Sequence, residues 1–268
     1  MPHSPEAAWA IALFQRSVLK QAKFRRIMSL LDHPAGKTNL DVGADNGVIS
    51  HLLRLRGGEW HSADLDERAV DAIRGLVGSN VYLLEGSRMP FPDRMFDQVV
   101  VVDYLEHIGD DSTFARELER IVKPGGHVII NVPHLRPGSR LNRLRHAIGL
   151  TDEWHGHVRP GYDRDGLAAL LGPGLVIERS ITYSGVFSEL IDTALNGLYL
   201  KMQGAGARAS RKGTVITAGD VRKHRNQFML LSVLYPALWL FARLDALLWF
   251  RPGYKLIVRA QRRPAVSA

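Results

Sequence analysis

The sequence predicts an α/β protein with a doubly wound sheet. Between residues 36 and 183, short apolar runs alternate with segments of helical periodicity, and a glycine turn follows the first apolar run. The run at 96–103 is apolar on both faces, as expected of a central parallel strand covered by helices on both sides. With 268 residues, 46% of them hydrophobic, the chain can form a buried core and carry further elements.

The elements follow one another in a regular order. A helix is predicted from Pro5 to about Leu31, with Ser4 as its N-cap. The other predicted ranges are strands ending near residues 42, 66, 87, 103 and 134, helices at 47–56, 66–77, 112–122, 141–148 and 165–171, and strands at 175–183 and 254–261. The chain therefore divides into a helical extension (1–35), a core (36–183), an insertion (184–253) and a final strand with a tail (254–268).

The turn after the first strand indicates a nucleotide-like cofactor. Residues 40–47 read Leu-Asp-Val-Gly-Ala-Asp-Asn-Gly, with two glycines that let a ligand approach the backbone. A phosphate would be repelled by the carboxylates of Asp41 and Asp45, and the spacing differs from the dinucleotide fingerprint. The turn therefore favours a cofactor that carries an amine or a sulfonium.

The next two strands supply further parts of such a site. Asp64, near the end of the second predicted strand (60–66), lies 21 residues after Gly43, close to the spacing of about 20 known for acids that bind ribose hydroxyls. The end of the third strand, near Ser87, is placed to meet an adenine. The fourth strand ends at Asp103, at the same edge of the sheet.

The chain resembles the class I S-adenosylmethionine-dependent methyltransferases, in particular the group with quinone-pathway and other small-molecule enzymes. The resemblance covers residues 36–183 and rests on five pieces in the expected order: 40–47, 63–66, 89–97, 105–107 and 118–126. Two positions depart from the family pattern: Asp45 replaces the usual middle glycine, and Ser87 replaces an aspartate that often contacts adenine.

The resemblance implies a Rossmann-like sheet of seven strands with the seventh antiparallel, and S-adenosylmethionine as cofactor. A helical insertion then separates strands six and seven, which this family normally joins by a short connection. The residues it assigns to the cofactor are Asp41, Gly43, Ala44, Asp45, Gly47, Asp64, Leu65, Ser87, Arg88, Asp103 and Tyr104.

Three histidines are candidates for the base that removes a proton from the acceptor: His107, His155 and His157. A near-neutral imidazole suits this role, although each could instead stabilise a loop. His134 could also face the substrate, and Arg159 or Tyr162 could contact an anion or a ring. His155 and His157, separated by one residue, also suggest a metal site, but no third or fourth ligand with recognisable spacing lies nearby, so no metal is predicted.

The insertion separates basic from apolar residues. Residues 201–226 carry seven Lys or Arg and one Asp, a net +6 of the chain's +8. A helix is predicted at 187–202 and an apolar helix or helix pair at 227–250. The uncharged part of the latter, 228–242, is 15 residues long and contains Pro236, whereas a membrane span needs about 20. We expect it to lie on a membrane surface, or else to pack on the core or form a dimer interface.

Composition narrows the function. The chain has no cysteine, which excludes disulfides, thiolate metal sites and cysteine nucleophiles. No secretory signal is recognised, so a cytoplasmic location is expected, with peripheral contact to the membrane face.

The leading hypothesis is O-methylation of a small amphipathic or lipid-associated acceptor. RNA methylation is the weaker alternative, as is a non-catalytic cofactor-binding partner protein; nucleic acid is not favoured, and the oligomeric state is open.

Overall fold

The computed structural model describes residues 5–203 and 225–264, where strands and helices alternate as predicted. The helices are α1 (Pro5–Gln15), α2 (Val18–Leu30), α3 (Val48–Arg54), α4 (Glu67–Val77), α5 (Asp111–Ile121), α6 (Arg140–Ala147), α7 (Arg164–Leu171), α8 (Val186–Gln203) and α9 (Arg225–Arg243). The strands are β1 (Thr38–Val42), β2 (Glu59–Asp64), β3 (Val81–Leu83), β4 (Phe96–Val102), β5 (Val122–Pro133), β6 (Leu175–Tyr183) and β7 (Lys255–Arg262). Short 3₁₀ helices occupy Leu105–His107 and Leu244–Leu248.

The seven strands form one sheet in the order β3-β2-β1-β4-β5-β7-β6. Neighbouring strands are parallel except around β7, which is antiparallel to both β5 and β6. The predicted Rossmann-like sheet with an antiparallel seventh strand is confirmed. β1 and β4 are neighbours although β2 and β3 lie between them in the chain. Such a switch in strand order opens a crevice at the carboxyl ends of the strands, where open α/β sheets bind ligands.

Apolar side chains cover both faces of the sheet. β4 contributes Val99 and Val101 to the core under α5 and α7, and Val100 and Val102 to the core under α1, α2 and α3. This two-sided burial explains why the sequence of β4 is apolar without alternation. The sheet is therefore rigid beneath the crevice.

The N-terminal segment forms two helices, not the single helix predicted from residue 5 to about residue 31. Ser17 starts α2, and its side-chain oxygen accepts a hydrogen bond from the backbone N–H of Lys20 at 3.3 Å. A serine oxygen competes for backbone donors and so favours a helix start, which hydrophobic periodicity does not detect. Ser4, the predicted N-cap, lies outside the described residues.

The third strand is shorter than the predicted 81–87. β3 pairs only with β2 and ends at Leu83. Gly86 then turns with φ 77°, and the Ser87 hydroxyl donates to the carbonyl of Asp110 at 2.6 Å. These contacts draw the chain away from the sheet and towards the start of α5.

α8 and α9 lie between β6 and β7 in the chain and contact each other. The carboxylate of Asp245, just after α9, accepts hydrogen bonds from the backbone N–H groups of Gly185 at 3.0 Å and Phe187 at 2.8 Å. It thereby caps the start of α8, where N–H groups lack partners within the helix. The rings of Phe187 and Phe241 also pack edge to face, with centroids 5.2 Å apart.

The region of α9 and the turn after it also exposes apolar side chains. The large exposed ones are Met229, Val233, Leu234, Trp239, Leu240, Phe241, Leu244, Leu247, Trp249 and Phe250. None of the helices in the described ranges combines the length and apolar character that crossing a bilayer requires. Residues 204–224, most of the predicted basic linker, lie outside the described residues.

Candidate active site

The glycine turn after β1 forms one wall of the crevice. Gly43, Asp45 and Gly47 all have left-handed backbone conformations, with φ of 85°, 55° and 78°. A Cβ atom at Gly47 would lie 2.7 Å from the Cα of Ile73 in α4, so only glycine fits where the turn meets that helix. Gly43, Ala44 and Asp45 line the cavity, whereas Gly47 packs behind it.

Asp41 lies beneath the turn and does not line the cavity. Its carboxylate is fully buried and accepts hydrogen bonds from the hydroxyls of Ser50 at 2.6 Å and Ser62 at 2.8 Å. Burial raises the pKa of Asp41 to about 6, although these hydroxyls and the guanidinium of Arg54, 3.7 Å away, oppose the rise. In this arrangement Asp41 joins β1, β2 and α3, and its predicted contact with a cofactor stays a prediction.

Asp64 ends β2 directly beside the glycine turn. Its buried carboxylate accepts hydrogen bonds from the backbone N–H groups of Leu65 at 2.7 Å and Asp45 at 3.3 Å. Tyr104 is also buried, with its ring centroid 4.9 Å from that of Phe114. Burial raises the pKa of its hydroxyl, and the negative charge of Asp64 raises it further. Asp64, Leu65 and Tyr104 lie outside the cavity wall, so their predicted cofactor contacts stay predictions.

Ser87 and Arg88 follow β3 on the far side of β2. Ser87 is occupied by its hydrogen bond to Asp110, and Arg88 is exposed to solvent. Neither residue lines the cavity that the glycine turn faces. Their predicted contact with adenine stays a prediction.

Asp103 is held at the end of β4, inside the cavity. It has φ 44°, accepts a hydrogen bond from the Asn131 side chain at 2.7 Å, and forms an ion pair with Lys23 of α2. The hydroxyl of Tyr183 donates to the side-chain Oδ1 of Asn131 at 2.5 Å. Side chains from β4, β5, β6 and α2 thus fix one carboxylate at the crevice.

The cavity has a volume of about 650 Å³, within the range of small-molecule sites. The glycine turn and Asp103 form one part of its wall. α2, the loop after β5, α6, α8 and the start of β7 form the rest. Both a cofactor tail and an acceptor can therefore contact the same space.

The three predicted histidines come together in this cavity. The rings of His107 and His157 have centroids 5.0 Å apart, and those of His155 and His157 are stacked at 5.3 Å. The Nδ1 of His107 donates to the carbonyl of Gly156 at 3.0 Å, so in the neutral ring the lone pair is on Nε2. The backbone N–H of Val158 donates to the carbonyl of Glu106 at 2.8 Å and ties the loop to the end of β4.

Two of these histidines are neutral at physiological pH. Burial lowers the pKa of His155 to about 4, helped by the positive charges of Lys255 and Arg145. Burial lowers the pKa of His157 to about 3, helped by the charges of His107 and His155. A neutral imidazole has a nitrogen lone pair with which it can accept a proton or a hydrogen bond.

The same cluster contains one group that could hold a metal ion. Glu106, His107 and His157 each offer a ligand atom, and these atoms lie within 4.8 Å of one another. Carboxylate and imidazole suit Zn²⁺ and several other divalent metals. No metal is predicted from the sequence here, since His157 lies 50 residues beyond His107 in the chain.

Arg159 and Tyr162, proposed above as substrate contacts, form hydrogen bonds and an ion pair that secure the histidine loop. Arg159 forms an ion pair with Asp111 and donates to the carbonyls of Ile108 and Gly109, each at 2.9 Å. The Tyr162 hydroxyl donates to Asp111 at 2.7 Å. Neither residue lines the cavity. His134 does line it, with Nδ1 donating to the carbonyl of Gly253 at 2.8 Å.

Several charged residues of the cavity were not identified from the sequence. Arg145 of α6 forms an ion pair with the buried Glu189 of α8 at 2.6 Å. Lys255 begins β7; burial would lower its pKa, but the negative charges of Asp103 and Glu189 outweigh this effect, and its pKa is raised. Arg136 follows β5. The only available signal was that these residues flank predicted strands or helices.

The fold and the cavity define a class I S-adenosylmethionine-dependent methyltransferase architecture. Residues 40–130 match the family model described as "Methyltransferase domain". This match confirms, for this part of the chain, the resemblance to the class I S-adenosylmethionine-dependent methyltransferases that the motifs predicted.

Individual relatives match part of the chain. The ubiquinone biosynthesis O-methyltransferase of Marinobacter nauticus is 29% identical over 148 residues, which cover 50% of this chain and 62% of that protein. The ubiquinone biosynthesis O-methyltransferase of Pseudomonas syringae pv. tomato is 34% identical over 113 residues, covering 40% and 49%. The chain thus spans between 49% and 62% of the length of these relatives.

A solved structure shows the fold over a larger share of the chain. An S-adenosylmethionine dependent methyltransferase from Mesorhizobium loti has a TM-score of 0.56 and 16% identity, covering 90% of this chain and 98% of that one. At this identity the likeness concerns the fold alone.

Proposed function

We propose that the chain transfers a methyl group from S-adenosylmethionine to a hydroxyl group of a small amphipathic acceptor. The observation that carries this proposal is one cavity lined by both the glycine turn with Asp45 and the histidine cluster. The turn belongs to the cofactor side of the family fold, and the histidines can serve the acceptor. The names of the two relatives support oxygen as the acceptor atom.

The chemistry needs alignment and one base. The acceptor oxygen forms a bond to the methyl carbon while the bond from that carbon to sulfur breaks, so the sulfonium leaves as a neutral thioether. The hydroxyl proton passes to an imidazole. We assign this step to His107, because its hydrogen bond to Gly156 presents Nε2 as the acceptor atom. His155 and His157 complete the wall that surrounds it.

The residues fit the cofactor that the family uses. The carboxylates of Asp45 and Asp103 line the cavity and can bind an amine or face a sulfonium, and the turn at Gly43 leaves room for backbone contact. Asp64 stands at the end of β2, next to this turn, for the ribose. In this proposal Asp41 supports the turn from below.

The test is transfer of labelled methyl into a cell extract that is then separated into organic-soluble, RNA, protein and polar fractions. Asp45→Asn keeps a residue type that tolerates the left-handed backbone but removes the charge, so cofactor affinity should fall about tenfold. Asp71→Asn, an exposed position outside the cavity, is the matched control. Label in the organic fraction that falls with Asp45→Asn alone supports the proposal; label in RNA or protein contradicts it. Transfer that survives EDTA assigns the proton to the histidines without a metal.

The acceptor is further proposed to reside at an anionic membrane surface. Exposed Trp249 and Phe250, with Arg243 and Arg251 nearby, support this, because apolar side chains flanked by cations favour the lipid interface. Flotation with vesicles containing phosphatidylglycerol tests it. Replacing Trp249 and Phe250 with serine should reduce flotation, whereas Leu55→Ser, at another exposed apolar position, should not. Equal flotation of all three forms would remove the membrane part of the proposal.

A further inference from the structure

We propose that the methyl acceptor carries an oxyanion, a carboxylate or a phosphate, which the guanidinium of Arg136 binds inside the cavity. This inference rests on the proposed function, because it names the class of molecule that occupies the acceptor side of that site. It adds an acidic head group to an otherwise apolar acceptor.

Arg136 is held in place but has unused hydrogen-bonding capacity. Its guanidinium carbon lies 4.1 Å from the ring centroid of Tyr254, within the range of a cation–π contact. Its Nη1 is buried and has no hydrogen-bond partner among the described residues. A buried donor of this kind nearly always has a partner in a folded protein, and leaving it without one is costly. A ligand in the cavity that Arg136 lines would supply that partner.

The support beneath Arg136 is fixed. Tyr254 is buried, its backbone N–H donates to the carbonyl of Ser184 at 2.8 Å, and its hydroxyl accepts from Ser139 at 3.2 Å. The planar guanidinium therefore lies against a ring that is held from both ends. A planar group with paired donors matches the two oxygens of a carboxylate or phosphate better than a single ammonium does.

Other strong charges in the cavity are already balanced. Arg145 pairs with Glu189 at 2.6 Å and lies 3.5 Å from Asp192. Lys23 pairs with Asp103. Lys255 stays protonated because the carboxylates of Asp103, Glu189 and Glu106 outweigh the effect of burial on its pKa.

The described residues give Arg136 no carboxylate partner of this kind. Arg143 and Lys20 add further positive charge to the cavity wall. The remaining acids lie elsewhere: Asp45 belongs to the glycine turn, and Asp152 faces His157 at 3.8 Å. An acceptor with a negative group therefore finds its best complement at Arg136, whereas a neutral acceptor would bury this donor without a partner.

The experiment compares ligands of one shape that differ in charge. The full chain is saturated with S-adenosylhomocysteine and titrated in a calorimeter with 4-hydroxybenzoate and with its neutral amide, 4-hydroxybenzamide. We expect the carboxylate to bind at least tenfold more tightly. A third titration with phenyl phosphate tells phosphate from carboxylate as the preferred oxyanion. Equal affinity for the amide and both anions would overturn the inference without any variant.

Variants then assign the effect to one residue. Arg136→Met should abolish the preference for the anion, Arg136→Lys should retain part of it, and Arg140→Met should leave it unchanged. Arg140 is exposed at the start of α6 and does not line the cavity, so it controls for the change in net charge. If Arg136→Met does not fold, Arg136→Lys still tests the assignment, because a full wild-type preference in it would point to a different cation.

The outcomes separate this inference from the proposed function. Retention of labelled S-adenosylmethionine on a filter reports the cofactor site independently of the acceptor. Methyl transfer to neutral acceptors only would contradict the oxyanion and leave the methyltransferase proposal intact. Binding of both the cofactor and the anion without any transfer would retain the oxyanion site and contradict the catalytic proposal.

Discussion

Replacing Gly47 with alanine tests the packing on which the glycine turn depends. The residue has φ 78°, which costs an L-residue about 1–2 kcal/mol. The new Cβ would also lie 2.7 Å from the Cα and 3.3 Å from the backbone nitrogen of Ile73, so α4 itself would have to move. Forcing a methyl group into such a packed site costs about 1–3 kcal/mol. Together these effects predict that the free energy of unfolding falls by about 2–5 kcal/mol.

Gly86→Ala provides the matched control, and urea unfolding provides the measurement. Gly86 has φ 77°, nearly the same as Gly47, but a Cβ there would meet nothing within 4 Å. The free energy of unfolding of Gly86→Ala should therefore fall by only about 1–2 kcal/mol, which is the effect of the backbone conformation alone. The difference between the two variants therefore isolates the contact with α4. If Gly47→Ala loses no more stability than Gly86→Ala, the close approach of turn and helix is not what requires glycine at this position.

Three further outcomes are expected. The folded pKa values of His155 and His157 lie below the unfolded value of about 6.5. The unfolded state therefore binds more protons than the folded state between about pH 4 and 6.5. The free energy of unfolding falls as the pH falls through that window. Replacing both histidines with glutamine should therefore reduce the loss in the free energy of unfolding between pH 7 and 4.5 by roughly 2–4 kcal/mol, as measured by urea unfolding. An unchanged dependence of this free energy on pH would contradict the burial of both histidines as neutral groups. Arg145→Met should lower the free energy of unfolding by about 3–5 kcal/mol, because it leaves the charge of Glu189 buried without its ion pair. Adding Glu189→Gln to this variant should restore part of the melting temperature. Ser17→Ala should lower the free energy of unfolding by about 0.5–2 kcal/mol and speed amide hydrogen exchange in the first turn of α2. Ser17→Asp should leave the free energy of unfolding and the exchange rate unchanged.

The sequence predicted those features that depend on neighbours along the chain. β4 was recognisable because both of its faces are apolar, and the glycine turn because its spacing is local. His107 and His157 are 50 residues apart, yet both were identified because each follows or lies within a segment at the carboxyl edge of the sheet. Their contact at 5.0 Å then follows from the topology.

What the sequence did not predict depends on contacts between distant segments. Lys23 reaches Asp103 only because a serine breaks the N-terminal helix, and the periodicity of residues 5–31 conceals that break. Arg159 was proposed as a substrate contact from its chemistry, and no local pattern indicates its ion pair with Asp111, which belongs to another element. Arg136 resembles an ordinary loop arginine until the fold places it on Tyr254.

The position of β7 between β5 and β6 has a consequence for how the protein is made. β6 joins the sheet only through β7, which follows it after about 70 residues of α8, α9 and their connection. During synthesis, β1 to β5 can pair as they emerge, but β6 has no neighbouring strand until β7 has left the ribosome. Until then its edge is exposed, and edges of this kind promote aggregation. Lys255 and Tyr254 are synthesised with β7, so the part of the cavity wall that they form is completed last in vectorial folding.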